Sequence, residues 1–326
     1  MVAFATFLMR TALDQLRVMK EKRPICVIGP GALGLFFAIN LADNHAVSLL
    51  VKDSQRLVYE GNPLSIVGDM QRSLAPGALQ IIDKTGLKNL PADALFLSCV
   101  KAYDLDSSVE ELLPALRPSN PLILTQNGLG IFLQAAELLR RAAPIVRVLS
   151  SFGVMKRSPT QVALTGKMLL SISAQDQEPK LRDEISEIFK AGGAVIHHPK
   201  NIAYAEWEKA LLNLAVNPLT SVLNERNGVV IEDKGLSSLT LKVISEVRQV
   251  AKAEGFDLSY ISNAALFERI RNSANNLNNN VIDLRNDRRT EIEFLLGRFL
   301  RLAEGYNVQT PCLNTLYALC KRIESY

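Results

Sequence analysis

Lys209, Asn213 and Asn217 lie four residues apart in a segment otherwise rich in leucine, alanine and valine. An α-helix turns once in about 3.6 residues, so these polar side chains project from one face of a single helix. An ammonium or amide group costs several kcal/mol when it is buried without a partner. We interpret the three residues as the lining of a pocket for a polar ligand; the alternative is a solvent-facing stripe. Pro218 predicts a kink that turns Asn217 toward a cleft.

A glycine-rich loop follows the apolar run Ile25–Ile28 and has the pattern G-x-G-x-x-G. Its first glycine allows a tight turn, its second lets the backbone approach a pyrophosphate, and its third permits close packing of a helix on a strand. The amides at the start of that helix attract phosphate oxygens. The pattern predicts a dinucleotide site, with a simple glycine-rich turn as the alternative. The residues assigned to it are Gly29, Gly31, Ala32, Leu33 and Gly34.

The end of the second predicted strand bears on whether the dinucleotide is NAD or NADP. An acidic residue there would bind a ribose 2′-hydroxyl, whereas cations would bind a 2′-phosphate. The sequence offers both, since Lys52 and Arg56 flank Asp53. Spacing alone does not decide; we favour NADP, with Lys52 and Arg56 as the phosphate partners. A solvated surface charge is the alternative for Arg56.

Two further polar residues lie at the ends of predicted elements. Asn127 follows the apolar run Leu122–Thr125, and the carboxyl ends of strands are where open α/β sheets bind ligands. Glu291 lies at the start of an apolar helical stripe. An acidic side chain at that position also simply stabilises the helix dipole, so Glu291 by itself indicates no function.

Short apolar runs alternate with helical segments over residues 24–199. This alternation predicts the α/β class, with a Rossmann-type, doubly wound sheet of parallel strands in the N-terminal domain. Helical periodicity dominates over residues 200–326, as in Ser238–Glu254 and Thr290–Glu304, and predicts an all-helical C-terminal domain. The other predicted strands are Ala46–Val51, Ser65–Val67, Leu79–Ile82, Ala94–Val100, Leu122–Thr125, Ile145–Leu149 and Ala194–His197. Val162–Leu164 and Met168–Ser173 are expected to form a late hairpin or meander.

Composition excludes several classes of protein. The chain has 326 residues, 48% hydrophobic and 21% charged, with a net charge of +4. Its length favours two domains, and the mild charge without a basic cluster argues against nucleic-acid binding. No apolar run approaches the roughly 20 residues of a membrane span. Four cysteines without a CxxC pair and three histidines indicate a cytoplasmic protein without a metal site.

Residues 1–23 are interpreted as an N-terminal extension. The alternative is a start codon placed too early, with Met19 as the true start. The partner expected from these features is a small molecule, and a homodimer is left open.

In combination, these features resemble the ketopantoate reductase (2-dehydropantoate 2-reductase) family over nearly the whole chain from about Pro24. The motifs that carry the resemblance are GPGALG at 29–34, VKA at 100–102, QNG at 126–128, K-x3-N-x3-NPLT at 209–220 and RTEIEF at 289–294. The resemblance implies a two-domain enzyme that reduces 2-dehydropantoate, a 2-keto acid, to pantoate with NADPH, in pantothenate and coenzyme A biosynthesis.

The resemblance also implies roles for individual residues. Lys209 matches the catalytic lysine, a general acid, and Glu291 matches a substrate-binding glutamate. Asn213 and Asn217 match asparagines that hold the substrate. Asn127 matches the residue beside the nicotinamide and the substrate.

The resemblance assigns further residues to the coenzyme and to the substrate carboxylate. Lys101 matches a lysine at the coenzyme edge, and Lys52 falls where an arginine commonly binds the 2′-phosphate. Asn276 matches a substrate asparagine, but Asn279 stands where the family typically has a serine. This departure keeps open a reductase of another 2-keto acid. A further alternative is an NADP(H)-binding redox sensor without turnover, which would not need the polar stripe of Lys209.

Overall fold

The structure is a computed structural model that describes residues 22–174 and 179–324. Of the predicted N-terminal extension, only Lys22 and Arg23 fall within the described residues. Contacts divide the chain into two compact units. The first comprises the described residues up to Gln126 together with Ile131–Lys200, and the second comprises Asn127–Gly130 together with the described residues from Asn201 onward.

The first unit contains all the strands of the described chain. They are β1 Ile25–Ile28, β2 Val47–Leu50, β3 Leu64–Gly68, β4 Arg72–Leu74, β5 Gln80–Ile82, β6 Leu95–Ser98, β7 Leu122–Leu124, β8 Ile145–Ser150, β9 Gly153–Ser158, β10 Gln161–Thr165, β11 Leu169–Ala174 and β12 Val195–His197. The helices of this unit are α1 Ala32–Leu41, α2 Arg56–Glu60, α3 Leu105–Leu112, α4 Ile131–Leu139 and α5 Pro179–Ala191.

The larger sheet has the strand order β12-β11-β8-β7-β6-β1-β2-β5. All neighbours in it are parallel except β8 and β11. Every residue of β1, β2, β6 and β7 is buried, which explains why these strands are apolar apart from Ser48 in β2 and Ser98 in β6. Strand order reverses at β1, which pairs with β2 on one side and β6 on the other, so a Rossmann-type switch point lies there. The predicted α/β class is confirmed.

A smaller sheet has the order β4-β3-β10-β9. The sequence predicts that Val162–Leu164 and Met168–Ser173 pair with each other, and this prediction is wrong. The first run lies in β10 and pairs with β9 and β3, whereas the second lies in β11 and pairs with β8 and β12. Both strands contribute buried side chains to the same core, so each satisfies its alternating pattern in a different sheet.

The second unit is helical, and no strand occurs between Asn201 and Glu324. Its helices are α6 Ile202–Leu223, α7 Val229–Glu232, α8 Lys234–Ala253, α9 Asn263–Arg271, α10 Asn279–Leu284, the π-helix Glu293–Gly297, α11 Arg298–Gly305 and α12 Pro311–Glu324. Within the described residues, no helix has the length and apolar character needed to cross a membrane.

Helix α6 carries the polar stripe of the sequence. The Asn201 side chain caps its start by accepting from the Ala203 amide, and Asn224 ends it in the left-handed region, at φ +54°. The predicted kink at Asn217 does not interrupt the helix, which continues through Pro218 to Leu223. The Thr220 hydroxyl donates to the Val216 carbonyl at 2.9 Å, within the turn that contains the proline.

Candidate functional site

Two glycines of the G-x-G-x-x-G segment after β1 have no room for a side chain. Gly29 has a φ of +89°, and a Cβ on it would lie 2.9 Å from the backbone nitrogen of Val100. A Cβ on Gly34 would overlap the carbonyl oxygen of Gly29. Both glycines are therefore fixed by the close approach of the loop to α1 and to the end of β6.

Gly31 differs from its neighbours, because a Cβ there would meet nothing within 4 Å. It is exposed and forms the N-cap of α1, where no described side chain caps the helix and no acidic residue occupies the first turn. Ala32 and Leu33 are half-buried in that turn. Amides without a side-chain cap beside an open backbone fit the pyrophosphate of a dinucleotide.

The other predicted coenzyme residues follow neighbouring strands at the same edge of the sheet. Lys52 follows β2 and is exposed. Lys101 follows β6, is half-buried, and adjoins Val100, the residue that contacts Gly29. Because β1, β2 and β6 are parallel and in register, the structure brings these segments together around the switch point.

Arg56 is paired with carboxylates, which the sequence analysis did not anticipate. Its Nε donates to Glu60 at 2.7 Å, and its guanidinium lies 3.7 Å from an oxygen of Asp83. The hydrogen bond to Glu60 raises the pKa of Arg56 above its ordinary value. The i, i+4 spacing of Arg56 and Glu60 is a signal that could have found this pair. Lys52 is therefore the more accessible of the two predicted phosphate partners.

Asn127 lies in a loop that is fixed by buried polar contacts. The Gln126 amide donates to the Ser98 hydroxyl at 2.8 Å, and the buried guanidinium of Arg147 donates to the Gln126 carbonyl at 2.6 Å. Arg298 donates to the Leu129 carbonyl at 2.8 Å. Asn127 itself is half-buried. Neither arginine was predicted from the sequence, since each contact joins distant parts of the chain.

The polar stripe of α6 lies at an intermediate depth. Lys209, Asn213 and Asn217 are each half-buried, whereas the adjacent apolar positions Ala210, Leu211, Leu214, Ala215 and Val216 are buried. The carboxylate of Glu208, next to Lys209, is occupied by the Tyr260 hydroxyl at 2.7 Å and by Arg269 at 3.3 Å. Helix α6 contacts α10 and the π-helix, which are close in sequence to the other predicted substrate residues.

Glu291 is buried, with 8% of its surface exposed, and lies two residues before the start of the π-helix. Its carbonyl accepts from the amides of Phe294 and Leu295, both at 3.0 Å. Thr290 is held by Glu324, which accepts from its amide at 2.9 Å and its hydroxyl at 2.6 Å. These contacts place a carboxylate at a rigid helix start, and single π-helical turns are frequent at functional sites.

The segment Asn275–Asn280 contains five asparagines and is called the asparagine tract here. Some of its side chains hold the fold together, and others are exposed. Asn278, which the sequence analysis did not single out, accepts from the amides of Asn280 and Val281 and so caps α10. Its amide also donates to the Thr220 hydroxyl at 2.5 Å, which ties the tract to α6. The predicted residues Asn276 and Asn279 are both exposed, unlike Glu291.

The family models that match this chain are "Ketopantoate reductase PanE/ApbA" over residues 25–177 and "Ketopantoate reductase PanE/ApbA C terminal" over residues 201–324. A 2-dehydropantoate 2-reductase of Yersinia pestis is 30% identical, over 73% of this chain and 77% of its own. A 2-dehydropantoate 2-reductase of Vibrio cholerae is 26% identical, over 92% and 97%.

Solved structures with low sequence identity share the fold. A PanE/ApbA family ketopantoate reductase from Ralstonia eutropha has a TM-score of 0.81 at 24% identity, covering 93% of this chain and 99% of that one. A ternary structure of D-mandelate dehydrogenase with NADH and anilino(oxo)acetate has a TM-score of 0.79 at 19% identity, covering 93% and 98%.

Proposed function

Because the chain belongs to the ketopantoate reductase family, we propose that it is an oxidoreductase that reduces 2-dehydropantoate to pantoate with NADPH, in pantothenate and coenzyme A biosynthesis. The observation that carries this proposal is the half-buried row of Lys209, Asn213 and Asn217 on α6. Such a row supplies a cation and two amides to a polar ligand. The uncapped start of α1 beside Gly31 adds a site for the coenzyme phosphates.

When bound, the coenzyme would supply a hydride to C2 of the keto acid. In this proposal the amides of Gly31, Ala32 and Leu33 would hold its pyrophosphate, and Lys52 would bind the 2′-phosphate of the adenosine ribose. Lys101 and Asn127 hold the nicotinamide end.

Lys209 acts on the oxygen of the keto group. Negative charge grows on that oxygen as C2 is reduced, and an ammonium beside it stabilises the charge and then gives up a proton to form the alcohol. A lysine suits this task because its three donors rotate on a flexible stem.

The remaining residues bind the substrate. Asn213 and Asn217 orient it beside Lys209, since each amide carries both donors and an acceptor. The Glu291 carboxylate accepts from the hydroxyl at the far end of the substrate. Asn276 and Asn279, which are exposed, donate to the substrate carboxylate.

The proposal is tested by NADPH oxidation with the purified full-length chain and a panel of 2-keto acids. We expect the highest kcat/KM with 2-dehydropantoate. Coenzyme binding without turnover of any keto acid would refute the proposal.

A reductase of another 2-keto acid is the second candidate. It is favoured by Asn279, since an asparagine is longer than the family's serine and leaves less room at the substrate carboxylate. The resemblance of the fold to D-mandelate dehydrogenase is compatible with such a change. In the same panel, a keto acid with a higher kcat/KM than 2-dehydropantoate would establish this alternative.

A further inference from the structure

Arg147 is a fully buried arginine in an otherwise apolar part of β8. It lies between Val146 and Val148, and 1% of its surface is exposed. The removal of a guanidinium from water is costly, and arginine is rarely buried to this extent unless its donors are engaged. An apolar side chain would fill the same place in the core without that cost. The burial of Arg147 therefore indicates a function that needs its hydrogen-bond donors.

The donors of Arg147 reach the end of the neighbouring strand, β7. The backbone ladder between the two strands ends at the pair Leu124 and Arg147, whereas β8 continues to Ser150. At that point one terminal nitrogen of Arg147 donates to the Leu124 carbonyl at 3.0 Å, and the other donates to the Gln126 carbonyl at 2.6 Å. The planar guanidinium holds these two donors in fixed directions, which a lysine ammonium does not.

The bond to Gln126 bears directly on the next residue, Asn127. The Gln126 carbonyl and the Asn127 nitrogen belong to one planar peptide group, so a bond that fixes the oxygen also fixes the plane from which Asn127 begins. After Asn127, Gly128 has a φ of +120°, which glycine adopts without strain. Because glycine restrains the backbone least, the place of Asn127 depends mainly on the peptide group that precedes it.

Contacts from β6 hold the same segment from the other side. The Thr125 hydroxyl donates to the Ser98 carbonyl at 2.8 Å, and the Gln126 amide donates to the Ser98 hydroxyl at 2.8 Å. These bonds engage the side chains of Thr125 and Gln126. Arg147 instead binds the Gln126 carbonyl, and so acts on the peptide group that leads to Asn127.

We propose that Arg147 is a positioning residue, which sets the place of the Asn127 side chain by holding the peptide between Gln126 and Asn127. The inference rests on the proposed function in one respect, namely that Asn127 holds the nicotinamide end of the coenzyme. Because Arg147 acts through Asn127, a substitution of Arg147 should lower activity only while Asn127 is present.

A double-mutant cycle tests this dependence. It measures kcat and KM of the purified full-length chain with 2-dehydropantoate, or with the 2-keto acid that the chain prefers. Arg147→Lys keeps the charge but loses the planar pair of donors, and Asn127→Ala removes the amide. We expect each single variant to lower kcat/KM about tenfold, because a small displacement of a positioned group is costly. In the Asn127→Ala background, Arg147→Lys should lower it by no more than about twofold further.

Val146→Ala is the matched control. Val146 is the preceding residue of β8, is fully buried, and points to the opposite face of the sheet. Its substitution should lower the free energy of unfolding and leave kcat/KM near the wild-type value. Losses that multiply in the double variant would overturn the inference, because Arg147 would then act independently of Asn127. Wild-type kinetics in Arg147→Lys, or an equal kinetic loss in Val146→Ala, would also overturn it.

A measurement on the unaltered chain covers an Arg147→Lys variant that fails to fold. In its NMR spectrum the Nη protons of Arg147 should give separate, slowly exchanging signals, because bonds to two carbonyls prevent rotation of the guanidinium. Signals averaged by free rotation would contradict the inference. A wild-type chain that reduces no 2-keto acid would instead refute the proposed function, and the Nη signals would still decide whether Arg147 holds the peptide.

Discussion

The candidate sites of the two units are formed by different parts of the chain, backbone in one and side chains in the other. In the first unit, the proposed phosphate site consists of backbone: Gly29 and Gly34 leave no room for a Cβ, and no side chain caps the first amides of α1. In the second unit, the polar row consists of the side chains of Lys209, Asn213 and Asn217 on a continuous helix. The first site thus depends on the absence of side chains, and the second on their functional groups.

This difference predicts different consequences of mutation. A substitution at Gly29 or Gly34 should alter packing and therefore stability, because a Cβ at either position would meet the backbone of a neighbouring segment. A substitution on the half-buried face of α6 should change activity more than stability, because the buried side chains that pack the helix belong to other residues.

The largest effect on stability is expected for Gly34→Ala. The new Cβ overlaps the Gly29 carbonyl, so the free energy of unfolding should fall by about 3 kcal/mol or more. Chemical denaturation measures this change. Gly31→Ala is the matched control, since it has open space and should fold normally while binding NADPH more weakly. Equal destabilisation by both substitutions would show that packing does not distinguish the two glycines.

A smaller effect is expected for the cations after β2. Lys52→Ala should raise the dissociation constant of NADPH about tenfold and leave that of NADH unchanged, because only NADPH carries the 2′-phosphate. Arg56→Ala serves as the comparison, and it should change NADPH binding less because Glu60 and Asp83 already pair with Arg56. Fluorescence titration with both coenzymes checks the ranking, and the reverse order would reassign the phosphate to Arg56.

The smallest effect concerns Glu324, which holds Thr290 beside Glu291. Burial raises the pKa of Glu324, but hydrogen bonds from Thr290 and Lys321 outweigh it and lower the pKa below its ordinary value of 4.5. The carboxylate therefore stabilises the fold above its ordinary pKa of 4.5, and this contribution is lost as the pH falls through the folded-state pKa.

Glu324→Gln should accordingly lower the free energy of unfolding by about 1 kcal/mol at pH 7. The difference from the wild type should shrink in acid, as measured by denaturation across pH. Glu304→Gln, at an exposed position of α11, is the control. A difference that stays constant with pH would contradict the role of the charge.

Local patterns in the sequence predicted much of the secondary structure of the first unit. The apolar run Ile25–Ile28 coincides with β1, because a buried parallel strand has a continuous apolar sequence. The pairing of Val162–Leu164 was mispredicted because strand partners depend on distant segments. Pro218 led to the prediction of a kink at Asn217, and α6 continues through Pro218 to Leu223, where most of its residues are buried.

The polar contacts that frame the candidate site were harder to predict. Carbonyls more than 20 residues away accept hydrogen bonds from Arg147, Arg298 and Lys156, and no local sequence pattern predicts such bonds. The capping role of Asn278 was hidden inside a run of similar residues, although a capping asparagine before a helix is a recognisable signal. The roles of Lys209 and Glu291 in catalysis stay predictions.

In the proposed reaction, Lys209 serves the chemical step and not the binding of the coenzyme. The most direct test compares Lys209→Ala with the wild type in NADPH oxidation and in NADPH titration, with Lys242→Ala on the exposed face of α8 as a control. We predict a fall in kcat of roughly 10²–10⁴ with an unchanged dissociation constant for NADPH. Near wild-type turnover, or a loss explained by weaker NADPH binding, would contradict the claim.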